Sequence, residues 1–419
     1  MENVELIRQK LLNECKRGKR GEIKYPVKEL NLYLVNTCNL HCVMCPFITK
    51  TQRTYFNDPI VVTSLESYKN MMKTIFGDGD INTDCREEVQ LDFFTGETLL
   101  NPHFYNIVKY TKEHYPFTKI SLLSNGTIPP SKNVPEEIVR YLDVFCFSID
   151  GGTKEVFEAI RTPASFEQVV DTISKWVKAR DLYNPKLKFR SSTTISTMNI
   201  EDLPNIVTLL DNIVKDSPYG WDSIYCQPVV IETYQDPNLN YIMLDYCDKE
   251  TGYIALKEMY YLSEVSRIRL DMPKSIPEFF GIGRIKKEYA SYIEKLRCNE
   301  FTQPKQVMCS KLRDGLLSYR PDGDGLYYVC CFMEKSYYGK LIEDYQIPKN
   351  GTFDEIYNCE GYWQLREDLL NGKLIAACRN CKIGESDYYN MLSIIDNEIK
   401  EVIDEILMDR HQHEKKKNL

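Results

Sequence analysis

The chain has 419 residues, 43% of them hydrophobic, and a formal net charge of −8. That is enough apolar material for a large core, in two or three domains or in one barrel with an appendage. The acidic balance offers no global basic field for nucleic acid, no apolar run reaches the length that spans a bilayer, and the charged first twenty residues lack a signal-peptide core, so a cytoplasmic protein is expected.

Residues 1–20 read as a charged amphipathic helix within an N-terminal extension, 1–28. Six apolar or alternating runs follow, at 29–36, 88–94, 119–126, 142–151, 187–196 and 221–230, each closed by small or polar residues. Their apolar and β-branched content predicts strands. Between them, 102–115, 153–160, 165–179 and 201–214 carry apolar residues at helical spacing. Strands alternating with helices predict a parallel sheet, and six units suffice for a partial barrel over 29–230. In such sheets the chemistry gathers at the carboxyl ends of the strands.

Residues 231–304 break this rhythm. They are rich in Tyr, Asp and Lys, with a helical stretch at 253–268, and read as a connector near the mouth of the site. Cysteines return at wide spacing in 305–385, and 386–419 holds an amphipathic helix and a solvated tail.

The chain has fifteen cysteines. With secretion unsupported and several cysteines clustered, metal or redox work explains them better than a disulfide framework. Cys15, Cys85 and Cys146 read as small buried hydrophobes. Cys38, Cys42 and Cys45 stand on one loop just after the first strand. A zinc site there needs a fourth Cys or His, and His41 is poorly placed to supply it. Three thiolates suit a [4Fe–4S] cluster with one iron left open to a chelating substrate.

At this point the sequence resembles the radical S-adenosylmethionine (radical SAM) superfamily, whose signature is a CxxxCxxC loop after the first strand of a (β/α)6 partial TIM barrel. The resemblance implies that Cys38, Cys42 and Cys45 hold the cluster. Its open iron chelates S-adenosylmethionine, and reduction gives a 5′-deoxyadenosyl radical that abstracts hydrogen from a substrate. The residue before the last cysteine, often aromatic in the family, is Met44 here. The GGEP motif of the second strand end appears as Thr95-Gly96-Glu97-Thr98; its glycine permits close backbone approach and its carboxylate can accept from an ammonium. Ser124 and Asn125 at the third strand end, and Ser148 and Asp150 at the fourth, match contacts to the methionine and ribose parts. Arg161 resembles an arginine that pairs with the carboxylate. Each of these also reads as an ordinary turn or cap; their order after successive strands is what joins them.

The pattern Cys309, Gly325, Cys330, then Cys378 and Cys381 resembles the SPASM extension in its shorter "twitch" form. It implies a small α+β domain over 305–385 with one auxiliary [4Fe–4S] cluster on Cys309, Cys330, Cys378 and Cys381. Cys331 competes with Cys330, and a zinc ribbon would use the same four thiolates. A fully thiolate-ligated cluster favours electron transfer over substrate binding.

Dehydrogenation, epimerisation and bond formation all begin with hydrogen abstraction. An epimerase needs a thiol hydrogen donor, for which Cys226, at the sixth strand, and Cys247, in the connector, are the candidates. Only residues 1–28 precede the first strand, too few for a leader-recognition domain. The expectation is therefore a small polar substrate such as an amino sugar, aminocyclitol or nucleotide sugar, served by a flavodoxin or ferredoxin-type electron donor. Maturation of a ribosomally made peptide is the alternative. A non-catalytic iron–sulfur carrier or scaffold fits the barrel pattern poorly.

Overall fold

The computed structural model describes residues 4–24, 27–45, 59–77, 88–93, 96–229, 237–273, 275–282, 316–319, 327–328, 341–348, 351–371 and 373. All six expected strands form: β1 (Glu29–Leu32), β2 (Val89–Phe93), β3 (Thr118–Ser124), β4 (Val144–Ser148), β5 (Lys188–Ile195) and β6 (Ser223–Pro228). They pair in sequence order and in parallel, with β4 and β5 matched as Cys146 to Arg190 and Ser148 to Ser192.

The helices between them are α1 (Val4–Lys19), ahead of the sheet, then α2 (Leu65–Phe76), α3 (Phe104–His114), α4 (Lys154–Ile160), α5 (Phe166–Tyr183) and α6 (Leu203–Val214). Local chemistry fixes their ends. Ser64 Oγ accepts from Ser67 N to start α2, and Ser165 Oγ accepts from Gln168 N to start α5. Helix α5 outruns its expected end because the buried Arg180 side chain donates to Gly220 O at 2.8 Å and Ser217 Oγ at 2.7 Å, so a charged residue is accommodated inside.

The connector continues the rhythm that its composition hid. Helix α7 (Lys249–Ser266) starts four residues before the expected 253 because Asp248 Oδ1 caps Thr251 N at 2.8 Å. It leads to β7 (Arg269–Asp271), which adds to β6 in parallel. At the other edge β8 (Leu316–Tyr319) pairs in parallel with β1, and β9 (Tyr327–Tyr328) pairs antiparallel with β8. Within the segment expected to form a separate auxiliary domain, β8 therefore belongs to the barrel's own sheet. Helix α1 packs on the helix Glu360–Leu370, where Gly18 leaves room for the Trp363 ring and Lys19 pairs with Glu367.

The two faces of the sheet differ. On the helix side Phe145, Phe147 and Phe189 are fully buried, and Phe145 meets Trp176 of α5 edge-on at 5.4 Å. The alternate positions, Cys146, Arg190, Ser192 and Tyr225, lie on the inner face and keep some exposure. This arrangement is that of a partial TIM barrel. Among the described residues no helix is long and apolar enough to cross a membrane.

Candidate active site

The loop after β1 is pinned from both sides. Asn36 Oδ1 accepts from Val61 N at 2.8 Å and its Nδ2 donates to Pro59 O at 2.8 Å, while Asn101 Nδ2 donates to Leu34 O and Thr63 O. Beyond it, His41 N donates to Thr162 O and Val43 N to Ile160 O, both at 2.9 Å, which fastens the loop to the end of α4. Cys38, Cys42 and Cys45 are thereby presented on a rigid loop at the carboxyl end of β1, each half-buried.

Donors already face the sulfurs. Cys38 Sγ accepts from Leu40 N at 3.4 Å and from Asn125 Nδ2 at 3.5 Å, and Arg161 Nη1 approaches Cys42 Sγ at 3.9 Å. Burial, with the Glu97 charge adding, pushes the Cys38 thiol up to about 12; burial pushes Cys42 up to about 11 against the pull of Arg161. Thiols this reluctant to ionise, yet surrounded by N–H donors, suit a bound cationic centre that would hold them as thiolates. Among the described residues no three His, Cys, Asp or Glu side chains converge as a single-ion site needs. An iron–sulfur cube, whose thiolates bind separate corners, asks for no such convergence.

The second strand end meets this loop through backbone. Gly96 has φ +63, and a Cβ there would lie 2.3 Å from Thr37 O. Glu97 N donates to Thr37 O at 3.0 Å. The Glu97 carboxylate, expected to accept from an ammonium, is fully buried and engaged by the protein instead: Oε1 accepts from Leu99 N and Ser124 Oγ, and Oε2 accepts from Asn125 N at 2.7 Å. Burial pushes it up to about 7, although all three donors pull it down. Glu97 is thus a clamp that positions Ser124 and Asn125. Thr95 lies outside the described residues.

Asn125 also donates to Asn39 Oδ1 at 2.8 Å, and Asn39 Nδ2 donates to Thr127 Oγ1 at 2.8 Å, tying the third strand end to the cysteine loop. Asp150 is fully buried; Oδ1 accepts from Thr194 N at 2.6 Å and Oδ2 pairs with Arg161 Nη2 at 2.6 Å. Arg161 therefore bridges Asp150 and Cys42. Ser148 closes β4 beside Ser192. Asn199, which sequence reasoning missed, is 1% exposed and donates to Asp150 O and Thr194 O.

Neither proposed hydrogen donor is brought to this group. Cys226 has no exposure and shares the helix-side face with Ile224, among the main core, where burial raises its thiol above the ordinary range. The period-2 alternation of β6 directs Tyr225 and Gln227, not Cys226, inward. Cys247 follows the short helix Leu244–Tyr246, packs into the same core at 8% exposure, and is pushed up to about 11 by burial. The connector does reach the loop: Val43, Met44, Met198 and Met243 pack around Val229 and Ile242. Met44 thus fills an aliphatic niche where the family often has an aromatic ring. Cys309, Cys330, Cys331, Cys378 and Cys381 lie outside the described residues.

Residues 32–210 match the family model described as the Radical SAM superfamily. Among solved structures, Streptococcus suis SuiB bound to S-adenosylmethionine overlays with a TM-score of 0.52 at 11% identity, over 88% of this chain and 74% of that one. SuiB in a second structure gives 0.50 at 11% identity, over 88% and 70%. Histidine-tagged anSMEcpe with bound AdoMet gives 0.49 at 16% identity, over 85% and 84%. At these identities the SuiB overlays speak to fold alone. Comparison with curated proteins gives no match. The matched family implies a [4Fe–4S] cluster and S-adenosylmethionine, the cysteine loop with its waiting donors fits that cluster, and residues 32–210 are similar to a radical SAM domain.

Proposed function

We propose that the chain is a radical SAM enzyme that removes hydrogen from a C–H bond of a small polar substrate, with oxidation or epimerisation as the outcome. The observation that carries the reading is the pinned loop of Cys38, Cys42 and Cys45 with the ends of β2, β3 and α4 hydrogen-bonded to it. When bound, the cluster and S-adenosylmethionine supply a carbon-centred radical capable of that abstraction.

The chain's own part is positioning and charge. Cys38, Cys42 and Cys45 would hold the cluster. The Gly96 turn lets the second strand end approach the loop without a side chain between them. Glu97 and Asn39 fix Asn125 so that one of its N–H donors faces Cys38 Sγ. Arg161 places a buried positive charge beside Cys42, which offsets thiolate charge in a poorly solvated site. Ser124, Ser148 and Asp150 are the strand-end groups assigned to the methionine and ribose parts.

The same reading gives Cys309, Cys330, Cys378 and Cys381 an auxiliary [4Fe–4S] cluster that passes electrons, and gives the enzyme a flavodoxin or ferredoxin-type donor. The polar, accessible inner face of β4, β5 and β6 supports a polar substrate.

Anaerobic reconstitution should give about eight irons per chain, and about four would remove the auxiliary cluster. Offered a panel of amino sugars, aminocyclitols and nucleotide sugars in D2O, the holoenzyme should form 5′-deoxyadenosine faster with one class. Deuterium at an inverted carbon marks an epimerase, and an oxidised product marks a dehydrogenase. A panel that leaves the rate unchanged refutes the substrate class.

A further inference from the structure

A parallel sheet normally buries both faces under apolar side chains. Here one face does so and the other does not. On the inner face Cys146, Arg190, Ser192 and Thr194 are only partly buried, and Tyr225 is 45% exposed. Register sets Arg190 between Cys146 of β4 and Ser223 of β6. Among the described residues Arg190 forms no ion pair, and its Nε is buried without a hydrogen-bond partner. The strand-end charges above it are matched: Asp150 by Arg161, Glu97 by three donors. A guanidinium held in a partly dry concavity with unmet donors is built to take an anion, and its planar fork suits a carboxylate or phosphate.

Depth agrees with this. Arg190 lies two residues below Ser192, which stands beside Ser148 at the end of β4. Two strand residues span about 6.6 Å, roughly the reach of an arginine side chain. An anion on the guanidinium would sit just beneath the strand-end groups, with the rest of the molecule rising toward the cysteine loop.

We propose that Arg190 is the anion-recognising residue of a substrate site on the barrel's inner face, so that the molecule losing hydrogen carries a carboxylate or phosphate. The substrate role rests on the radical SAM reading above; the anion site itself does not. Cys146, beside Arg190, serves as its reporter.

The test uses the reconstituted full chain with S-adenosylmethionine. Cys146 is alkylated with anionic iodoacetate or neutral iodoacetamide and quantified by peptide mass spectrometry. In each reaction the Cys146 sulfur–carbon bond forms, iodide leaves, and the thiol proton passes to buffer. The wild-type iodoacetate-to-iodoacetamide ratio at Cys146 should exceed that of free 2-mercaptoethanol, a neutral thiol, by about tenfold, the size of one nearby, partly screened charge. Arg190→Gln should bring the ratio down to that of 2-mercaptoethanol, and Arg190→Lys should keep it. Glutarate or inorganic phosphate should slow iodoacetate at Cys146, and whichever does so identifies the anion class. The same ratio in wild type and Arg190→Gln, no slowing by either anion, or no labelling of Cys146 overturns the proposal. A wild-type chain that makes no 5′-deoxyadenosine refutes the radical SAM reading while leaving the alkylation ratios to decide the anion site, so the two fail separately.

Discussion

Gly96→Ala tests whether the second strand end and the cysteine loop are one mechanical unit. Gly96 sits at φ +63, where a side chain costs about 1–2 kcal/mol. Its new Cβ would stand 2.3 Å from Thr37 O and 2.9 Å from Val35 O, both backbone atoms that no rotamer change can move aside. Relief to an ordinary contact needs a backbone shift of about 1 Å. That shift breaks the 3.0 Å bond from Glu97 N to Thr37 O, costing about 1 kcal/mol more. The expected loss is therefore about 2–3 kcal/mol, concentrated on the residue preceding Cys38. Denaturant unfolding of the reconstituted protein should show that loss, and iron retained per chain after gel filtration should fall. Wild-type iron content together with an unfolding free energy within about 0.5 kcal/mol of wild type would refute the coupling.

Three further variants examine separate links. Glu97 is raised from 4.5 to about 7, so across that window the folded protein binds more protons than the unfolded chain. The associated stability, on the order of 3 kcal/mol, is present below pH 4.5 and is lost as pH rises through about 7. Glu97→Gln should flatten this fall between about pH 5 and 7.5 while leaving one backbone donor unmet, and parallel pH curves for the two proteins would contradict the assignment. Asp150→Asn leaves the Arg161 guanidinium buried without its counter-charge and should cost about 3–5 kcal/mol in chemical denaturation; a loss under about 1 kcal/mol would show that the pair is not holding the site. Cys226→Ala should cost about 1 kcal/mol of core packing and leave 5′-deoxyadenosine formation at the wild-type rate, because the thiol faces the helices; a folded variant with no product would return Cys226 to the reaction.

The barrel was legible because its strands obey simple periodicity. The six runs became β1 to β6, since β-branched and aromatic residues on one face bury against helices whose own apolar stripes are plain. The helix expected at 253–268 forms as α7, but its start and the strand after it were not legible, for the opposite reason. Helix α7 is only weakly amphipathic and its start depends on a single cap, Asp248, while β7 is three residues long and holds its place through pairing with β6. Pairing of β8 with β1 joins residues far apart in sequence, which no local pattern announces.

At the strand ends, the position of each polar residue was readable but not the direction of its side chain. Glu97 was expected to face a ligand; three donors from Leu99, Ser124 and Asn125 turn it into a clamp, and Ser124 and Asn125 come from a different strand. Cys226 and Cys146 are alike in composition terms, yet alternation sends the first outward into the core and the second inward beside Arg190. That signal was present in the run holding Phe189 and Arg190, where apolar and polar residues alternate.

Cys38, Cys42 and Cys45 are proposed to hold the cluster that generates the radical. The most direct measurement is 5′-deoxyadenosine formed from S-adenosylmethionine under anaerobic dithionite, in the wild-type chain and in the chain with all three cysteines changed to Ala. Product from the wild type and none from the triple variant is the expected result; equal product from both would show that these cysteines do not hold the radical-generating cluster.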